Sequence, residues 1–219
     1  MYEWELRLSD LTSGEYSALL ALFDSVEGCL LSFTFLDPFS NLLLWSEDPT
    51  DSAWYKEPLI QLSPGRPDHM GTARATRLLN SGIASQRIEQ TLSTPSWYQY
   101  SLSVWLRTET NAKVTLAVAS TEDTATTVHE VGSMWRRCAL SSRLNGTAET
   151  LTVGISLAGG ESVDAFGFQL DAQPAPSNYK RSTTRTGIHP NARFRDDILD
   201  AVTTDLSCHS VKLTIVSSA

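Results

Sequence analysis

The chain has 219 residues, 41% of them hydrophobic, and a formal net charge of −8, so it can bury a sizeable core without a disulfide staple. Its 17 basic residues are scattered among 25 acidic ones, whereas phosphate binding needs clustered Lys and Arg, which excludes nucleic acid as an expected partner. No apolar run approaches the roughly 18 to 20 residues of a membrane span, and the N-terminal residues lack the basic and apolar regions of an export signal. We therefore expect neither a membrane span nor an export signal.

The cysteines do not form a recognisable framework. Cys29, Cys138 and Cys208 are odd in number, contain no C-x-x-C pair and lie in apolar or strand-like contexts. They are predicted to be free core thiols, with a disulfide or a metal site as the alternative.

The first 38 residues carry the pattern of a strand, a helix and a second strand. Apolar and polar residues alternate near the start, and Thr12 and Glu15 have the spacing of a helical capping box. Gly28 stands where a left-handed helix C-cap is expected, and a Phe- and Leu-rich run from Leu30 to Leu36 is stopped by an Asp-Pro pair. Two strands and a helix of this size bury too small a core to be stable alone.

From Asn41 to about Tyr179 the hydrophobic period changes to two and turn signals become frequent, which indicates an antiparallel β-sandwich. In the run from Tyr98 to Arg107 the even-numbered residues are apolar and the odd-numbered residues are polar except for Trp105. We therefore expect Trp105 to point away from the core. The candidate strands are Leu59–Leu62, Arg74–Leu79, Arg87–Leu92, Tyr98–Arg107, Lys113–Ala119, Thr126–Val131, Trp135–Ser141, Thr150–Leu157 and Val163–Ala172.

The sequence changes again after Ala172, where a Pro-, Ser- and Thr-rich stretch predicts a linker or an extended return across the surface. Two strand-like runs follow, near Ile198–Thr203 and Ser210–Val216, and their alternation suits an extra sheet better than the sandwich. We infer a mainly β chain. Residues 1–40 and 186–219 form a small discontinuous α+β domain with one short helix, and residues 41–185 form an antiparallel β-sandwich inserted between its halves.

The first part of the chain resembles a known family. The segment YEWELRLSDLTSGEYSALLALFDSVEGCLLSFTFLDP is similar to the distal tail protein families of long-tailed phages and related gene-transfer particles, in which a strand, a short helix with a terminal Gly and an F-x-F-x-D-P strand recur. It lacks the longer strands that usually precede the equivalent of Trp4 in those families. The domain is therefore expected to be shortened, or completed by a neighbouring subunit.

Residues 41–183, from NLLLWSEDPTDSAW to NYKRST, resemble the carbohydrate-binding-module-like jelly rolls of phage tail fibres and baseplate proteins. Four motifs occur in the order that these jelly rolls show. They are the N-L-L-x-x-S-E-D opening with its following Trp, the strand YQYSLSVWLR, the W-x-R strand, and the ending G-x-Q-L-D with its following P-S-x-Y.

Together the two resemblances imply a structural component of a phage or phage-like tail tip or baseplate, located in the virion tail after assembly in the host cytoplasm. Such proteins form a symmetric ring, often a hexamer or a trimer, and contact tail tube, baseplate and hub proteins. The inserted jelly roll would face outward, where it could bind host cell-surface polysaccharide. A free-standing carbohydrate-binding module without an assembly role is the alternative.

Aromatic residues are the candidates for glycan binding, because the apolar face of a sugar stacks on an exposed ring. Trp97, which follows a Pro-Ser turn, and Trp105 are favoured, and Trp54 and Tyr55 are further candidates. For Trp54 and Trp135, core packing of the sandwich is the favoured interpretation.

A structural calcium ion is a second candidate ligand. The resemblance implies that one is held between the opening and last strands, with ligands from Glu47, Asp48, Asp164 or Asp171 and from backbone carbonyls. The alternative is that these carboxylates are solvated or cap turns. No other cofactor is expected.

The sequence contains no recognisable catalytic constellation. Asp196 and Asp197 are adjacent and would face opposite sides of a strand, and Cys208-His209 are too close in sequence to form a nucleophile and its base. We therefore predict that the protein is not an enzyme, and we favour a structural assembly protein over a free-standing glycan-binding module. The isolated histidines are predicted to be surface or strand-end residues: His69, His129, His189 and His209.

Overall fold

The computed structural model describes residues 1–205 and 208–218. Its contacts divide the chain into two compact units, one formed by residues 1–35 with residue 188 onward, and the other by residues 36–187. We call them the split unit and the sandwich unit. The sandwich unit extends slightly beyond the predicted range of 41–185, because Asp37 N donates to Gly187 O (2.8 Å) and Lys180 Nζ donates to Pro38 O (2.8 Å).

The described residues form β-strands and one helix, so the prediction of a mainly β chain with an antiparallel sandwich and a short helix is confirmed. The split unit is built from β1 (Tyr2–Thr12), α1 (Ser13–Ser25), β2 (Phe33–Leu36), β13 (Ile188–Phe194), β14 (Asp200–Asp205) and β15 (Cys208–Ser217). The sandwich unit contains β3 (Tyr55–Lys56), β4 (Ile60–Arg66), β5 (Ala75–Asn80), β6 (Gln86–Leu92), β7 (Gln99–Arg107), β8 (Ala112–Ala119), β9 (Thr124–Val131), β10 (Arg136–Arg143), β11 (Leu151–Leu157) and β12 (Ser162–Asp171).

The split unit is a five-stranded sheet with α1 packed against β1 and β15. The strand order is β1, β15, β13, β2, and β14 also pairs with β15. The core joins residues from both ends of the chain, since Phe194 and Ile215 are buried against Trp4 and Phe23. Strand β13 was not predicted, because Pro190 interrupts its alternation.

Helix α1 begins at the predicted capping box. Thr12 Oγ1 accepts a hydrogen bond from Glu15 N (3.3 Å), and the Glu15 carboxylate accepts one from Thr12 N (2.9 Å), so two amide groups of the first turn are paired. At the other end, Gly28 N donates to Phe23 O (2.9 Å), and Glu27 (φ 52°) takes the first left-handed position. Gly28 (φ 64°) is also left-handed, as predicted, so the left-handed cap spans Glu27 and Gly28. No helix in the described part of the chain has the length and apolar character that a membrane span requires.

The sandwich unit consists of two antiparallel sheets. The front sheet has the strand order β10, β7, β12, β5, β4, and the back sheet has the order β3, β6, β11, β8, β9. The even-numbered residues of β7 are fully buried, as the alternation predicts, and Trp105 lies on the opposite face of the front sheet. The interior is filled by apolar residues from both sheets: Tyr100, Leu102, Val104, Leu106, Val114, Leu116, Val118, Val153, Ile155, Phe168 and Leu170.

The loop that precedes β3 is attached to the sandwich by two residues of the opening motif. The Asn41 side chain is buried, donates to Phe168 O (2.8 Å) and accepts from Leu170 N (3.0 Å), so it joins the loop to β12. The Trp54 ring packs on the Phe168 ring with centroids 4.7 Å apart, and its Nε1 donates to Trp45 O (3.1 Å). Both residues therefore stabilise the sandwich.

Candidate functional site

The outer face of the front sheet carries three rings in a row. Trp105 lies on β7 and His69 on the loop between β4 and β5, and their rings stack with centroids 4.2 Å apart at an interplanar angle of 9°. Trp135, just before β10, meets His69 edge-on at 6.5 Å. All three residues are half-buried. We call these three rings the aromatic row.

Strand register explains why Trp105 is surrounded by other large side chains. Trp105 is directly opposite Phe166 on β12 and Arg137 on β10, so the three side chains share one face of the front sheet. The ring of His69 also contacts the ring of Phe166, at 5.2 Å between centroids. The ring of Phe166, on β12 of the front sheet, therefore packs against the aromatic row.

Asp68 fixes the loop that presents His69. Its buried carboxylate accepts hydrogen bonds from the amide groups of Met70 (2.8 Å), Thr72 (3.1 Å) and Arg74 (3.3 Å), and from the hydroxyl of Thr72. Burial by itself raises the pKa of Asp68, but these hydrogen bonds outweigh it and leave this pKa below its usual value. An ionised carboxylate thus holds the loop at neutral pH.

Beside the aromatic row, three arginines surround one buried carboxylate. Asp164 is 1% exposed and accepts hydrogen bonds from Arg77 Nε (2.8 Å) and Arg107 Nε (3.2 Å), and Arg66 Nε lies 3.7 Å away. The guanidinium of Arg107 also lies over the Trp135 ring, 5.0 Å from its centroid, in a cation–π geometry. Arg107 therefore links these arginines to the aromatic row. We call Arg66, Arg77 and Arg107 the arginine cluster.

The charges at this face stabilise one another. Hydrogen bonds from Arg77 to Asp164 and Glu109 raise the pKa of the Arg77 guanidinium above its usual value, although burial opposes the shift. The same hydrogen bond from Arg77 lowers the pKa of Glu109. Both partners are therefore held in their charged forms at neutral pH.

Buried nitrogen atoms without a hydrogen-bond partner also occur at this face. Within residues 1–205 and 208–218 they include Trp105 Nε1, His69 Nδ1 and Arg66 Nε. Such atoms are normally paired with protein groups or ordered water. Because these atoms are buried, they offer no donor or acceptor to a ligand at the surface in this structure.

The structure does not bring the four predicted glycan-binding residues together. Trp54 is 2% exposed and cannot stack on a sugar, so the core interpretation replaces its predicted binding role. Tyr55 is 53% exposed but lies on β3 of the back sheet. Trp97 packs edge-on against Tyr98 before β7, and that strand rises about 20 Å between its start and Trp105. Of the four, Trp105 belongs to the aromatic row.

The four predicted calcium ligands each have other partners. Glu47 accepts from Arg74 (3.0 Å), Asp171 pairs with Lys180 (3.2 Å), and Asp164 lies among the arginine cluster. Among the side chains that the structure describes, no three His, Cys, Asp or Glu residues form a group that could hold a metal ion. Side chains of Arg and Lys or turn amides contact the carboxylates of Glu47, Asp48, Asp164 and Asp171, and the calcium site with its backbone carbonyls stays a prediction.

The histidines and cysteines differ in part from the predictions. His189 is the second residue of β13, which agrees with the predicted strand-end position, but it is 8% exposed and packs against two aromatic residues of β1. His69 is stacked in the aromatic row, so neither is a solvated surface residue. Cys29, Cys138 and Cys208 are thiols that are not joined in a disulfide. Cys138 is buried, whereas Cys29 and Cys208 are half-buried.

Most residues of this site are not predicted from the sequence. Alternation along β7 places Arg107 on the same face as Trp105, and this signal could have indicated Arg107. Trp135 was assigned to core packing, but it is half-buried beside Arg107. No local signal indicates His69, Arg66 or Arg77, because their positions depend on loop contacts and on the pairing of strands that are distant in sequence.

The chain resembles solved carbohydrate-binding modules in fold. The C-terminal family 22 carbohydrate-binding module of Clostridium thermocellum Xyn10B matches with a TM-score of 0.50 at 12% identity, over 65% of this chain and 97% of that one. The CBM22-1 xylan-binding domain of Paenibacillus barcinonensis Xyn10C matches with a TM-score of 0.49 at 10% identity, over 67% of this chain and 98% of that one. The tailspike protein 4 enzymatically active domain of Bacteriophage CBA120 matches with a TM-score of 0.46 at 13% identity, over 63% of this chain and 22% of that one. No protein-family model and no curated protein matches the chain. The likeness establishes a fold of the carbohydrate-binding-module type.

Proposed function

We propose that the sandwich unit binds glycan on the outer face of its front sheet and catalyses no reaction. The observation that carries this proposal is the aromatic row beside the arginine cluster. Rings offer a stacking surface to the apolar face of a sugar, and charged donors beside them can hydrogen-bond its hydroxyl groups. The fold of the carbohydrate-binding-module type supports the proposal at the level of architecture.

Each residue at this face has a distinct proposed role. Trp135 is the stacking platform, because it is half-buried beside Met134, which is 82% exposed, so this turn is open to solvent. Trp105 is stacked on His69 and extends the apolar surface. Arg107 supplies a hydrogen-bond donor beside the platform, and Asp164 holds it in place.

Trp135→Ala is expected to weaken glycan binding by about tenfold, because an aromatic platform contributes both contact area and stacking. The full chain is first screened on an array of bacterial surface polysaccharides and plant cell-wall oligosaccharides. Calorimetric titration with the tightest ligand then compares the variant with the original chain.

Tyr55→Ala is the matched control for Trp135→Ala, since Tyr55 is an exposed aromatic residue on the back sheet. Its affinity is expected to equal that of the original chain. If Tyr55→Ala lost glycan binding and Trp135→Ala kept it, the binding site would lie on the back sheet. Failure of the original chain to bind any glycan would refute the proposal.

We also propose that the split unit forms a symmetric ring at the tip or baseplate of a phage-like virion tail, in contact with other tail proteins. Each subunit of the ring would carry one sandwich unit. The resemblance of residues 2–38 to distal tail proteins supports this role. In addition, β1 has 11 residues and ends the strand order of its sheet, where it pairs with β15 in the part of the chain that the structure describes. Proteins usually cover an edge of this length, and a neighbouring subunit would do so.

A ring is expected to give a solution mass that is a multiple of the 24.1 kDa chain, with three or six copies. Size-exclusion chromatography with light scattering measures this mass, and cryo-electron microscopy of the particle fraction then tests for a ring at a tail tip. A chain that stays monomeric and is absent from such particles would favour the free-standing glycan-binding module.

A further inference from the structure

The arginine cluster carries more positive charge than its own carboxylate neutralises. The side chains of Arg66, Arg77 and Arg107 are 37%, 25% and 30% exposed, whereas the side chain of Asp164 is 1% exposed. Three cations thus reach the surface around one carboxylate that lies beneath them. This face is locally positive in a chain whose formal net charge is −8.

Glu109 shows how a further carboxylate binds at this face. Its side chain is 78% exposed on the turn after β7, and its Oε1 accepts from Arg77 Nη2 (2.8 Å) and lies 3.9 Å from Arg66 Nη2. Exposed ion pairs of this kind contribute little to stability, so a competing carboxylate can displace Glu109 at low cost. Its carboxylate therefore marks a position that the carboxylate of a ligand could take.

We infer that the front face prefers glycans that carry a carboxylate, such as those built from hexuronic acids, over neutral glycans. The ligand carboxylate replaces Glu109 between Arg66 and Arg77, because guanidinium groups bind carboxylates through charge-assisted hydrogen bonds. A sugar ring of the same glycan stacks on Trp135, which Arg107 connects to the cluster. This inference rests on the proposed glycan-binding function of the face.

The test compares uronate oligosaccharides with their carboxyl-reduced counterparts, which keep the linkage and lose the charge. The full chain is expected to bind the acid form about tenfold more tightly in dilute buffer, and added salt should reduce the difference. Glu109→Gln is expected to tighten binding of the acid form several-fold, because the internal competitor loses its charge. The affinity for the reduced form should not change.

Arg66→Gln is expected to remove most of the preference for the acid form. Arg66 suits this test because its ion pairs with Asp164 and Glu109 are long, at 3.7 and 3.9 Å, so the variant should fold normally. Lys113→Gln is the matched control, since it removes one positive charge from an exposed residue of the back sheet. The control should keep the full preference.

Two results would overturn the inference, and a third would refute the proposed function on which it rests. Equal affinity for the acid and reduced forms would remove the carboxylate preference and leave glycan binding intact. Binding of sulfated glycans alone would assign the cluster to a different anion. Failure to bind either member of any pair, or any neutral glycan on the array, would instead refute the proposed function, so the two failures are distinguishable.

Discussion

Trp54→Ala is expected to lower the free energy of unfolding by about 3 to 5 kcal/mol, the range for truncating a large buried aromatic side chain. Trp54 is 2% exposed, its ring packs on Phe168 at 4.7 Å, and its indole N–H donates to Trp45 O (3.1 Å). The truncation creates a cavity beside β12 and removes one of the two donors of the Trp45 carbonyl, which keeps its hydrogen bond from Asp48 N (3.0 Å). Urea denaturation followed by circular dichroism measures the change.

Two variants separate the packing role of Trp54 from a binding role. Trp54→Phe keeps a ring against Phe168 and is expected to recover much of the lost stability. It should bind glycan as the original chain does, because Trp54 is 2% exposed and cannot reach a ligand. Trp97→Ala, at a half-buried residue, should destabilise the chain less than Trp54→Ala. A loss below about 1 kcal/mol in Trp54→Ala would contradict the core assignment.

The motif residues that carry the resemblance to jelly rolls mainly stabilise the sandwich. Asn41 joins the opening loop to β12, and Trp54 fills the space beneath that loop. Near the other end of the motif series, Gln169 accepts from Lys180 N (2.6 Å) and donates to Asp171 (2.7 Å), which attaches the segment after β12. Trp105, Arg107 and Trp135 lie within these motifs, whereas the other residues of the aromatic row and the arginine cluster lie outside them. The motifs therefore predict the fold much better than they predict the ligand.

A bulge in β12 allows one strand to serve both the core and the candidate site. Phe166 lies opposite Trp105 on the outer face, and the register then shifts before Gln169, so Phe168 points into the core. Gly167 occupies the bulge with φ of 66°, and a Cβ there would lie 3.0 Å from the Tyr179 ring. Glycine meets both requirements. Without the bulge, strict alternation after Phe166 would point Phe168 and Leu170 outward. The bulge shifts the alternation by one residue, so both point into the core.

How far the sequence predicts this protein depends on how local each signal is. The helix follows from Thr12 and Glu15, three residues apart, and the outward direction of Trp105 follows from alternation within one strand. The arginine cluster depends on the pairing of β4, β5, β7 and β12, and His69 depends on the hydrogen bonds of Asp68. Such contacts join distant parts of the chain. A single sequence does not specify them, and the local patterns therefore predicted the elements but not the site.

Asp164→Asn is expected to lower the free energy of unfolding by about 3 kcal/mol and to weaken binding of uronate glycans. Removing one partner of a buried ion pair typically costs about 3 to 5 kcal/mol, and the lower value applies because Arg66, Arg77 and Arg107 are partly exposed and regain water. Asparagine keeps the shape of the side chain but loses the charge that holds Arg77 and Arg107 by their Nε atoms. Urea denaturation and calorimetric titration measure the two effects on the same protein.

Glu109→Gln provides the comparison for Asp164→Asn, because both carboxylates contact Arg77 but Glu109 is 78% exposed. Its stability is expected to stay nearly unchanged and its affinity for uronate to rise, so the two substitutions should have opposite effects on binding. If Asp164→Asn left both stability and affinity unchanged, the buried carboxylate would not be what orients the arginines. If it lowered stability and left affinity unchanged, the arginine cluster would be a structural feature of the front sheet, and the carboxylate preference would need another origin.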